Sequence, residues 1–153
     1  MRFVIGIDPG QSGGIAVNAG KLIEASKMPE TERDIVDLLI EYRDNAFNMG
    51  LELICYLELV HSMPKQGVSS SFKFGKSYGT LIGILAALRI PYELVTPQKW
   101  QQAMGCMSRG DKNITKQKAQ ALFPQVPKIT HAIADALLIA GYGQRLSQVR
   151  EVA

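Results

Sequence analysis

The sequence predicts an α/β protein: a five-stranded mixed sheet flanked by helices on both faces. Three observations carry this. Apolar, β-branched runs of strand length open the chain and recur along it. The first three follow one another through short turns, which predicts an antiparallel meander. The later ones are separated by stretches with helical periodicity, which predicts parallel pairing with helices packed against the sheet. The element order is β-β-β-α-β-α-β-α-α-α.

Residues 2–7 form the first run and end in Asp8-Pro9-Gly10, a buried strand running into a turn. Gly13 to Val17 reads as the second strand, Asn18 to Lys21 as a hairpin turn, and Leu22 to Ser26 as the third strand. Thr31 is placed to cap a helix, with Glu32 and Asp34 in the first turn where carboxylates suit the dipole. Ile35, Leu38, Leu39 and Tyr42 recur at i, i+3, i+4 and i+7, and Gly50 ends that helix. Leu51 to Leu59 is a fourth strand, and a mixed loop from His61 to Gly67 leads to a helix from Ser71 to Arg89 that Pro91 stops. Glu93-Leu94-Val95 is the fifth strand. Thr96-Pro97 sets a cap before a proline at the first helical position, opening a short helix to Met104. A loop over Gly105 to Lys112 precedes a helix over 113–123, and Thr130 caps a last helix from Ala132 to Leu146.

With 153 residues, 46% of them hydrophobic, the chain fits one domain spanning 1–153 with its own core. No apolar run approaches the roughly 18–20 residues of a membrane helix. Asp8 interrupts the N-terminal apolar run before it reaches the length of a signal-peptide core, so a cytoplasmic protein is expected. Cys55 and Cys106 are too few for a zinc site or a disulfide framework. The net charge of +3 conceals an asymmetry: residues 1–60 carry ten Asp/Glu and five Lys/Arg, whereas residues 61–128 carry ten Lys/Arg and two acids. A basic middle on an acidic start points to a polyanion such as nucleic acid; solvated basic helix faces are the plain alternative.

Four residues stand out as chemistry. Asp8 ends an apolar strand, where a charge needs a partner, although an Asp-Pro-Gly turn alone would also place it there. Glu58 shares a face with Glu52, Ile54 and Tyr56 by period 2, near the C-terminal end of its strand, where α/β sheets collect ligand sites; an edge Glu facing solvent is the alternative. His131 and Asp135 lie four apart on one helix face. Asp135 sits among small apolar neighbours as an inward carboxylate would, and a dipole-stabilised Asp and a packing or capping His are the alternatives. Two Asp, one Glu and one His suit two Mg²⁺ or Mn²⁺ ions, which activate a water and stabilise a leaving oxygen in phosphodiester hydrolysis. Gly75-Lys76-Ser77 lacks the upstream glycine of a phosphate-binding loop and falls within a helix.

Ile5-Gly6-Ile7-Asp8-Pro9-Gly10, Glu58 on the fourth strand and Ala134-Asp135-Ala136-Leu137 near the C-terminus, in this order and spacing, resemble the RuvC family of Holliday junction resolvases, within the RNase H-like superfamily. Gly67, Ser71, Phe72, Phe74-Gly75, Gly79, Gly83 and Val95-Thr96-Pro97 before Lys99-Trp100 extend the resemblance from residue 3 to about 145. The stretch Glu-Leu-Val-His-Ser-Met-Pro-Lys-Gln-Gly at 58–67 is similar to phage and prophage members.

The resemblance implies an RNase H-like fold, a homodimer, and a crossover junction endodeoxyribonuclease that nicks two symmetric strands of four-way DNA. It implies two Mg²⁺ per active site, with Mn²⁺ substituting, bridged by Asp8 and completed by Glu58, Asp135 and His131. Members differ at the fourth place: some carry Asp or His three residues before the last Asp, where this chain has Ala132, whereas His131, four before it and on the same face, matches another branch of the family. Housekeeping members usually carry a junction-wedging Phe where this chain has His61, so the imidazole or Met63 would do the stacking, or the role has moved elsewhere. Lys65, Lys73, Lys76, Lys99, Arg109, Lys112, Lys116 and Lys118 would contact phosphates, giving affinity without sequence information. The implied location is the cytoplasm, that of a bacterial host for a phage protein. An RNA-cutting relative and a junction binder without catalysis are the alternatives. The actin-like ATPases share an Asp-x-Gly start but need two such domains, more than 153 residues hold.

Overall fold

Strand alternation decides what each face of the sheet receives. The computed structural model describes residues 1–61 and 67–152. Its elements are β1 Phe3–Asp8, β2 Gly14–Ala19, β3 Leu22–Lys27, α1 Glu32–Asn48, β4 Leu53–Glu58, α2 Val68–Ala87, β5 Tyr92–Val95, α3 Pro97–Met104, α4 Lys112–Leu122 and α5 His131–Val152. The sheet order is β3-β2-β1-β4-β5. β1, β2 and β3 pair antiparallel, whereas β1 with β4 and β4 with β5 pair parallel, as the element order predicts.

From β1, Phe3, Ile5 and Ile7 enter one core with Ile35, Leu39 and Tyr42 of α1 and Leu81 and Leu85 of α2. Val4 enters the other, with Ile54 and Tyr56 of β4, Trp100 of α3, Ala119 of α4 and the buried run Ala136 to Ala140 of α5. Period 2 therefore puts Gly6 and Asp8 on the α5 side with Val4, and Glu58 there with Ile54 and Tyr56.

α5 approaches that side at backbone distance. A Cβ on Gly6 would lie 2.4 Å from both the Ala136 carbonyl oxygen and the Ala140 nitrogen, and one on Gly14 2.5 Å from the Ala132 carbonyl oxygen. Glycine is required at both positions for the close approach. Gln144 pins the helix further, donating to the carbonyls of Arg2 and Asn18.

Caps follow the sequence. The Thr31 hydroxyl accepts from Asp34 N at 3.1 Å, and the Thr96 hydroxyl accepts from Lys99 N at 3.3 Å. Several boundaries differ from expectation. Asp8 belongs to the strand, paired with Gly14, because the sheet continues one residue past the apolar run. β2 runs to Ala19, leaving Gly20, with φ +78°, to turn the hairpin. α2 starts at Val68, three residues early, and β5 at Tyr92. α5 includes His131 and runs on to Val152, and the Thr130 carbonyl accepts its first helical bond from Ala134 N at 3.1 Å. No helix among the described residues is long and apolar enough to cross a membrane.

Candidate active site

The parallel ladder of β1 and β4 includes Ile7 opposite Leu57, so Asp8 and Glu58, one residue on, end adjacent strands at the same edge. Both face α5. The glycine contacts at Ala132 and Ala136 hold that helix close, and Asp135 lies between them. Three residues distant in sequence are thereby brought together.

The electrostatics follow from this placement. Burial, then the charges of Glu58 and Asp135, push the Asp8 carboxyl up to about 8, against an ordinary 3.8, with Lys112 opposing. Burial and the Asp135 charge push Glu58 up to about 7, against a hydrogen bond from Trp100 and the Lys112 charge. Burial also raises Asp135, opposed by a hydrogen bond from Thr115 and the charges of Lys112 and His131. Lys112 is the cation common to all three. Glu58, Asp135, Lys112, Arg109 and Thr115 line a cleft of about 430 Å³ between α3, α4 and α5.

By chemical type the three carboxylates are donors that suit a hard divalent cation. Such an ion would relieve the burial and neighbouring charge that hold protons on Asp8 and Glu58. Asp135 Oδ1 is buried with no hydrogen-bond partner, an orphaned acceptor that a bound cation would satisfy. Glu58 Oε2 accepts from Trp100 Nε1 at 2.7 Å. Among the described residues, no group of three His, Cys, Asp or Glu side chains is placed to hold a metal ion as the structure stands. His131 is exposed at the first position of α5, within electrostatic reach of Asp135.

The predicted nucleic-acid contacts do not form one patch. Arg109 and Lys112 share the acidic cleft, with Arg109 in a left-handed turn at φ +49° before Gly110. Gln101 Oε1 holds that turn, accepting from Ser108 N and Oγ at 3.1 and 3.2 Å. Lys99 is exposed on α3. Lys73 and Lys76 line a different cavity of about 220 Å³, with Gly10, Glu30 and Glu32. Lys116 lines a third cleft with Lys128 and Thr130, and the Lys118 ammonium lies near Gly105. His61 is exposed just beyond β4, while Met63 and Lys65 lie outside the described residues. Sequence reasoning gave no site role to Trp100, Thr115 or Gln101. The Thr96-Pro97 helix start was the available signal for Trp100, since it places that residue one turn in, back beside the end of β4.

This sheet order, β3-β2-β1-β4-β5 with helices on both faces, is an RNase H-like fold. No family model matches the chain. Among solved structures, Thermus thermophilus RuvC in complex with a Holliday junction substrate is similar at TM-score 0.61 and 19% identity, over 95% of this chain and 96% of that one. Thermus thermophilus RuvC in a second structure gives 0.59 and 18% over 95% and 96%. The yeast mitochondrial Holliday junction resolvase Ydc2 gives 0.51 and 14% over 97% and 82%.

Proposed function

We propose that the chain is one nuclease domain over 1–153, a structure-selective endonuclease that hydrolyses phosphodiester bonds in four-way and related branched DNA. The observation that carries this reading is the convergence of Asp8, Glu58 and Asp135 under α5, with Lys112 beside them, in a fold shared with junction resolvases.

Asp8, Glu58 and Asp135 would hold two Mg²⁺ or Mn²⁺ ions, with His131 as a fourth donor from the first turn of α5. When bound, such ions activate the attacking water and stabilise the leaving oxygen. The chain's own residues do the rest. Lys112 and Arg109 seat the phosphate at the cleft mouth, and the walls of α3 and α4 limit access by water. The other basic residues would hold the arms of the junction. A second copy would present the same site to a second strand, so dimer geometry would favour branched over linear DNA. The outer face of α2, where Gly75, Gly79 and Gly83 meet open space, suits the close approach of such a copy. The 58–67 stretch supports assignment to the phage and prophage branch, acting in the host cytoplasm.

The test is strand cleavage of a synthetic four-way junction against a linear duplex of the same arms, and a matched RNA, in Mg²⁺, Mn²⁺ or EDTA. Paired, metal-dependent nicks near the branch point are expected. Tight junction binding without nicks in any metal, or equal cutting of RNA or linear DNA, overturns the reading.

A further inference from the structure

The acidic cleft contains one contact that the reaction outlined above does not use. Trp100, the single tryptophan of the chain, has no exposed surface, and its Nε1–H donates to Glu58 Oε2 at 2.7 Å. A buried indole N–H needs an acceptor, and a backbone carbonyl would serve. Here it takes an oxygen of a carboxylate in the candidate active site.

The contact is built in by the backbone. Glu58 pairs with Val95 at the end of β5. Thr96 caps the next helix, Pro97 opens it, and Trp100 lies one turn along, at the level of the strand ends. Trp100 and Met104 are packed in the same core as Val95 and Phe123, and Gly105, at φ +66°, closes the helix. The donor is therefore fixed by a capped and buried helix.

Resting on the nuclease reading, we propose that Trp100 is a positioning residue whose indole N–H fixes the Glu58 carboxylate so that its remaining acceptor sites meet a divalent cation. Side chains that orient metal ligands in this way change metal affinity about 10–100-fold when removed. A second consequence is spectroscopic. Because the chain has one tryptophan, its indole N–H resonance is a direct reporter of what happens at Glu58.

The experiment uses the full, ¹⁵N-labelled chain titrated with Mg²⁺. The single indole N–H resonance is expected to shift and saturate, with its midpoint at the Mg²⁺ concentration that half-saturates junction cleavage, and Glu58→Gln is expected to abolish the shift. Trp100→Phe, which keeps an aromatic ring and loses the donor, is expected to raise the half-saturating Mg²⁺ about 10-fold with KM for the junction unchanged. Wild-type Mg²⁺ dependence in Trp100→Phe, or an unmoved indole resonance in a wild-type chain that cleaves in Mg²⁺, overturns the proposal. Should Trp100→Phe fail to fold, the wild-type and Glu58→Gln titrations decide it alone. A resonance that saturates with Mg²⁺ in a chain that cuts nothing keeps the positioning role and removes the nuclease reading. A chain with neither response removes both.

Discussion

The two faces of the sheet are packed in different ways. Toward α1 and α2, β1 offers Phe3, Ile5 and Ile7, and large side chains fill the gap between sheet and helices. Toward α5, it offers Val4, Gly6 and Asp8, and the helix backbone comes so near that Gly6 and Gly14 leave no room for a methyl group. A layer of aliphatic side chains adjusts to small changes by rotamer shifts. A backbone-to-backbone contact does not, so it fixes the helix against the sheet. The carboxylates lie on the second face, and the proposed cation site would need that precision, since ligands must be held to within about 0.5 Å.

The largest break in this comparison is expected at Asp8. Asp8→Asn keeps the shape and removes a charged donor. Junction cleavage in Mg²⁺ should fall about 10³-fold or more, with junction binding by gel shift unchanged. Loss of binding as well would make Asp8 structural. The same residue links the site to stability. A carboxyl whose pKa is raised on folding holds a proton that the unfolded chain has released. Its contribution is fully present below the ordinary value of 3.8 and is lost as pH climbs toward about 8. The metal-free chain should therefore lose stability between about pH 4 and pH 8 in thermal unfolding, and Mg²⁺ should restore more of it at pH 8 than at pH 5. Asp8→Asn should stabilise the metal-free chain at pH 8, by on the order of 2 kcal/mol. A flat pH profile would mean that neither burial nor the neighbouring carboxylates raise Asp8.

Gly6→Ala comes next. Its Cβ would meet backbone atoms of α5 at 2.4 Å, which no rotamer change relieves. Unfolding in urea should show a loss of about 3 kcal/mol. Cleavage at a temperature where the variant is folded should fall about 100-fold, because Asp135 moves with the helix while Asp8 and Glu58 stay. Wild-type cleavage would show that the approach of α5 does not set the site.

The two faces also differed in how readily the sequence disclosed them. The α1 face is plain: of Ile35, Leu38, Leu39 and Tyr42 at helical spacing, three are buried and Leu38 is partly buried. Period 2 assigns Glu58 to its face, and Asp8 and Asp135 stand out as charges among apolar residues. The placement of α5 was not legible. The run from Ala136 to Ala140 is buried without interruption, so no stripe marks which side meets the sheet. The close approach at Gly6 and Gly14 is a property of two elements more than a hundred residues apart. Trp100 acquires its role from the β4–β5 register, which no local pattern records. The basic residues misled in another way: a count of charge has no direction, and the fold spreads Lys73, Lys112 and Lys116 over three separate clefts.

The smallest expected effect tests the other half of the comparison. Ile5 is the immediate neighbour of Gly6, equally buried, and it points the opposite way. Ile5→Val removes one methylene from the aliphatic layer under α1 and α2, leaving a small void that neighbouring side chains partly fill. Urea unfolding should register about 1 kcal/mol. Junction cleavage should stay within about twofold of wild type, because no backbone contact of α5 changes and the three carboxylates keep their spacing. A cleavage loss approaching that of Gly6→Ala would mean that the two faces are mechanically coupled through β1. The position of α5 would then depend on the whole sandwich, and the two glycine contacts would not be enough to set it.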